Sequence, residues 1–83
     1  MQLNQALKLF RKELPEGFDA GIKKVKGGYE IDFVKKTDAA GNGFLGARCQ
    51  VKLLSRGKCY ELMADAIAHL EREDAKLKLK EVA

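Results

Sequence analysis

Residues 41–46, GNGFLG, reproduce the G-x-G-x-x-G spacing of a dinucleotide-phosphate loop. Such a loop works because its glycines follow a strand and open a helix, whose amino-terminal N–H groups and dipole hold the pyrophosphate within a parallel βαβ unit. Here they follow the polar stretch TDAA and open a stretch of period two, and the chain has no second parallel strand. The context argues against a nucleotide site and for a connecting loop. Asn42, Gly43 and Gly46 are then expected to border a docking surface, Gly46 leaving space beside Arg48 for a close partner.

His69 is the one histidine in the sequence. Glu61, Asp65 and His69 stand four residues apart, which lines two carboxylates and an imidazole along one side of a helix, as in a partial metal site. An ordinary solvated helix face produces the same pattern, and no other histidine exists to complete a ligand set. Cys49 and Cys59 fall on apolar stripes away from that polar line, and Ser55 has no identifiable base. Two cysteines are too few for a disulfide scaffold, so free thiols are expected. The sequence thus predicts no catalytic residue, no metal and no cofactor.

Charge is the better signal. The 16 Lys and Arg outnumber the 12 Asp and Glu, giving a net +4, but unevenly. Residues 43–58 hold Arg48, Lys52, Arg56 and Lys58 with no acid, whereas 61–74 hold five acids against Arg72 alone. Arg56 and Lys58 bracket Gly57 where a helix begins, and a helix amino terminus attracts anions. With Lys23 these residues make a candidate basic surface of Lys23, Arg48, Lys52, Arg56 and Lys58.

The elements that must position these residues follow from periodicity. Leu3, Ala6, Leu7, Phe10 and Leu14 recur at helical spacing until Pro15 and Gly17 end the run. From Phe18 the period becomes two: Phe18, Ala20 and Ile22, then Tyr29, Ile31 and Phe33 beyond Gly27-Gly28, predict a hairpin. A Gly27-Gly28 turn sets Lys24 opposite Ile31, Lys23 opposite Asp32 and Ile22 opposite Phe33. Leu45, Ala47, Cys49, Val51 and Leu53 alternate as a third strand with a polar, basic open face. Tyr29 and Phe33 point to the core, so no exposed aromatic platform is expected.

Ser55 or Gly57 caps a second helix, with Cys59, Leu62, Met63, Ala66, Ile67 and Leu70 on one stripe, running to about residue 74. The tail at 75–83 alternates like a strand yet contains good helix formers, and is expected to extend the helix and loosen. The order is α-β-β-β-α. It implies an α+β fold, a three-stranded antiparallel sheet with two helices packed on one face and the other face wet. The third strand or the tail leaves an edge that a second copy could cover, so a homodimer stays open.

An 83-residue chain has room for one domain, which buries only about 60–65% of its unfolded surface. An apolar share of 46% with 34% charged residues is that of a soluble globule. No window approaches the roughly 18–20 apolar residues of a membrane helix, and Met-Gln-Leu-Asn opens an amphipathic pattern instead of a signal peptide's apolar block. A cytoplasmic protein is expected.

Over Leu3 to Leu70 the element order resembles that of the double-stranded RNA-binding domain, which presents lysines at the start of its last helix. The matching stretch is SRGKCYELMADAIAHL, with Arg56 and Lys58 where that family's basic cluster lies. Two departures stand out: the turn Lys26-Gly27-Gly28-Tyr29 lacks the family's Pro and His, and the helix turns acidic at Glu61 and Asp65. The resemblance implies binding to double-stranded RNA through the basic surface.

Two functions follow. The first is a small non-catalytic protein that binds another protein and modulates or inhibits it. Compact accessory proteins of phages and mobile elements act in this manner on host or defence machinery, anti-CRISPR action or inhibition of a host ATPase being concrete forms. Separated basic and acidic faces suit such docking. The alternative is weak nucleic-acid binding through the basic sheet face and helix start.

Overall fold

The computed structural model describes residues 1–37 and 43–82, with side chains as far as Lys80. Its elements are α1 (Leu3–Glu13), β1 (Phe18–Val25), β2 (Gly28–Thr37), β3 (Gly43–Val51) and α2 (Arg56–Val82). The strands form one antiparallel sheet in the order β1-β2-β3. Helix α1 packs over β1 and α2 over β3 and β2, so both helices cover one face. Among the described residues no helix is long and apolar enough to cross a membrane.

α1 starts where the Gln2 N–H donates to Gln5 Oε1 at 2.8 Å. It stops where Pro15 follows Leu14, whose N–H still donates to the Phe10 carbonyl at 2.9 Å. Gly17, at φ 91°, then reverses the chain into β1. The helix delivers Ala6 and Phe10, both fully buried, to the sheet. Phe10 meets Phe33 of β2 edge to face, ring centroids 5.3 Å apart at 71°. Burying each such ring contributes about 1.5–3 kcal/mol, which makes this pair the centre of the core.

The hairpin register differs from the expected one by one step in the turn. Lys26 and Gly27 form the turn, and Val25 pairs with Gly28, Lys24 with Tyr29, Lys23 with Glu30 and Ile22 with Ile31. Every partner shifts by two residues, so each side chain keeps its face, because the side-chain period of a strand is also two. The glycines divide the work. Gly27 takes the positive φ of 85° that the reversal needs. Gly28 opens β2 against the end of β3: a Cβ there would lie 2.9 Å from Lys52 Cα and closer still to the Val51 carbonyl oxygen.

A second correction concerns the end of β3. The strand ends at Val51, and Leu53, expected on its core face, is 81% exposed. The chain turns between strand and helix, and Leu54 is the residue that enters the core instead. Phe33 is buried as expected, whereas Phe44 lies on the open face, 71% exposed.

α2 runs past residue 74 to Val82. Asp74 anchors this extension although its carboxylate is only 7% exposed. Lys35 Nζ of β2 donates to it at 2.8 Å, the Thr37 hydroxyl donates to its other oxygen, and Lys78 lies at 3.3 Å one turn on. These donors hold the Asp74 carboxyl far below the usual carboxylate range, the hydrogen bond from Lys35 being the largest cause.

Candidate binding surface

The open face of the sheet was expected to be basic, and the structure corrects this. Strands β1, β2 and β3 set Lys23, Glu30 and Gln50 in one row and Gly21, Asp32 and Arg48 in the next. Arg48 Nε lies 2.6 Å from Asp32 Oδ1 and 3.2 Å from Glu30 Oε1, and Lys23 Nζ lies 3.2 Å from Glu30 Oε2. Glu30 is nearly covered by its two partners, with 9% of its side chain exposed. Asp32 raises the Arg48 pKa above its ordinary value, first by its hydrogen bond and then by its charge. Two of the five candidate cations are therefore neutralised within the sheet. Lys23 pairs with Glu30, where the sequence register placed Asp32.

Lys58 is also engaged, 3.6 Å from Glu61 one turn along α2. Lys52 and Arg56 make no ion pair among the described residues. Lys52 lies near Lys26 beside the β1–β2 turn. Gly43, at φ 143°, opens β3, and Gly46 lies on its open face opposite Val34. Asn42 lies outside the described residues.

Arg56 has neighbours that the sequence did not suggest. Ser55 caps α2, its Oγ accepting from the Lys58 N–H at 3.1 Å, and this sets Arg56 on the first turn. The start of α1 is fastened to the same point: the Met1 amino group reaches the Leu54 carbonyl at 3.5 Å, and Met1 Sδ lies 3.7 Å from Cys59 Sγ. Lys8 and Lys12, one turn apart on α1, consequently join Arg56 around a groove of about 320 Å³ that Met1, Gln5 and Leu9 complete. No acid lines it, and none of its three cations is ion-paired among the described residues. The Arg56 guanidinium stacks 5.9 Å above the ring of Tyr60, itself 39% exposed.

Exposed apolar groups lie close to these cations: Met1 in the groove, Tyr60 under Arg56, and Leu53 two residues before the cap. Lys8 and Lys12 are not among the candidate cations read from the sequence. Their proximity to Arg56, more than 40 positions away, follows from the packing of α1 against α2.

Glu61, Asp65 and His69 do not converge. Glu61 turns to Lys58, whereas Asp65 and His69 border a groove against β3. Among the described residues no group of three or more His, Cys, Asp or Glu could hold a metal ion. Cys49 is half-buried and Cys59 buried, both free, and burial pushes both thiols above their ordinary pKa. Neither is an activated nucleophile by that measure.

Compared with known proteins, the chain matches no protein family, no curated protein and no solved structure.

Proposed function

We propose that this chain is a small non-catalytic protein-binding module that modulates or inhibits a partner presenting an acidic surface, and that the groove between α1 and the start of α2 is its docking site. One observation carries the proposal: exposed Met1, Leu53 and Tyr60 lie at the same end as the unpaired cations Lys8, Lys12 and Arg56. An apolar centre with a charged rim is the anatomy of a protein interface, where the anchor supplies affinity and the rim supplies steering.

Nucleic-acid binding is the weaker alternative on magnitude. The groove's three unpaired cations by themselves would give a log–log salt slope of only about −2.7, shallower than the roughly six to ten phosphate contacts of a strongly salt-dependent duplex binder provide. An exposed leucine also has no role against phosphates.

The test is affinity capture with mass spectrometry, comparing the wild type with Lys12→Glu/Arg56→Glu and with Leu53→Ser. Fluorescence anisotropy against duplex RNA at about 50 mM salt accompanies it. A protein retained by wild type and lost from both variants, with no RNA signal, is the expected result. RNA binding that falls steeply with salt and ignores Leu53→Ser would replace this function with the nucleic-acid one.

A further inference from the structure

The two edges of the sheet are built differently. β1 carries Asp19, Lys23 and Lys24, and charges along an edge strand discourage pairing with another chain. β3, GFLGARCQV, has no proline and one charge, Arg48, already held by Asp32 and Glu30. Among the described residues its ladder partners lie only on the β2 side. Ala47 and Cys49 on its covered face remain half-buried, whereas Phe33 and Ile31, their partners on β2, are fully buried. A groove of about 210 Å³ separates them from Leu62 and Ala66 of α2. The helix stops short of the outer side of β3.

This edge is complementary to itself. Antiparallel pairing with β3 of a second copy, about a twofold axis at Ala47, sets Leu45 opposite Cys49, Gly46 opposite Arg48 and Phe44 opposite Gln50. Arg48 then faces the one position on the open side of the strand without a side chain. The single chain does not itself require glycine there: a Cβ at Gly46 would meet only the Phe33 carbonyl oxygen, at an ordinary 3.7 Å, and its φ is not positive. In the helix layer the same axis runs the two α2 helices antiparallel. Asp65 and His69, four residues apart on the groove side, would face His69 and Asp65 of the other copy. An unrelated strand could pair with the same edge but would not supply these reciprocal partners.

We infer that the chain forms a twofold-symmetric homodimer through its β3 edges, joining two sheets into one of six strands with four helices on one face. At about 3.3 Å per residue the nine-residue strand offers a contact roughly 30 Å long. A standard interface needs about 800 Å² from each partner, roughly a seventh of the chain's 5815 Å².

Sedimentation equilibrium should return twice the 9.2 kDa chain mass. Gly46→Arg, which sets two arginines opposite one another, should weaken association at least tenfold while leaving the circular dichroism unchanged. The register is tested by cross-linking with diamide as oxidant. Opposed residues on antiparallel strands lie about 4.5–5.5 Å apart at Cα, inside the disulfide range. Leu45→Cys should therefore cross-link to Cys49 of the second copy and lose that cross-link in the Cys49→Ser background. Ala47→Cys with Cys49→Ser should cross-link to itself on the axis, and it serves independently if Leu45→Cys fails to fold. A wild type that sediments as a monomer up to about 100 µM, two decades above a micromolar Kd, overturns the proposal. So does a dimer in which neither folded variant cross-links.

Discussion

Lys35 of β2 and Asp74 of α2 are joined by a 2.8 Å ion pair on the covered face of the sheet. Both sit where apolar side chains would be expected, and each satisfies the other. With Thr37 and Lys78 completing the carboxylate's partners, the pair ties the second half of the long helix to the sheet.

Because the folded Asp74 carboxyl lies far below its unfolded value of roughly 3.9, its contribution is present above that value and is lost as pH falls below it. Thermal melts of wild type and Asp74→Asn should differ most above about pH 5 and narrow progressively between about pH 4 and pH 2, as the pH falls toward the folded carboxyl's own, lower pKa. A difference that stays constant across that range would show that the carboxylate's charge contributes nothing to stability.

Three glycines should respond differently to alanine. Gly28→Ala forces a Cβ against Val51 and Lys52 backbone and should cost about 1–3 kcal/mol. Gly27→Ala meets no atom within 4 Å but must hold a positive φ, at about 1–2 kcal/mol. Gly21→Ala meets neither obstacle and should be neutral or stabilise by up to about 1 kcal/mol. Urea titration ranks the three, and a neutral Gly28→Ala would contradict the close approach of β2 to β3.

Removing one ring of the Phe10–Phe33 pair should be severe. Phe10→Ala leaves a cavity at a fully buried position and should cost about 3–5 kcal/mol. A domain of this size holds only some 5–10 kcal/mol in total. The melting temperature should drop by more than about 12 °C, and a fall of only a few degrees would mean that the core repacks.

The groove and its apolar centre should separate kinetically once a partner is in hand. Lys12→Glu at the rim should slow association and reduce its salt dependence, while Leu53→Ser should speed dissociation at least tenfold. Surface plasmon resonance in two salt concentrations reads both. Identical effects of the two changes on association alone would remove Leu53 as an anchor.

The sequence by itself determined the order of elements and the face that most side chains occupy. Those follow from local periods, 3.6 residues for Ala6 and Phe10, and two for Ile31 and Phe33, and a period survives a register error of one turn residue. It also narrowed the cap of α2 to Ser55 or Gly57, and the bond from the Lys58 N–H to Ser55 Oγ decides for Ser55. What it missed depends on which segments become neighbours. Leu53 continued the alternation of β3 in sequence but lies beyond the strand's last pairing to β2.

Only the tertiary structure decided which charges remain available. Arg48 and Lys23 look like members of a basic face until β2 brings Glu30 and Asp32 between them. Lys8 and Lys12 look like the solvated back of a helix until α1 packs beside Arg56. Charge along a chain is a list, whereas a binding surface depends on distances between residues far apart in that list, and Coulomb energy falls with distance in space. Packing therefore moved the candidate site from the sheet face to the groove between the helices.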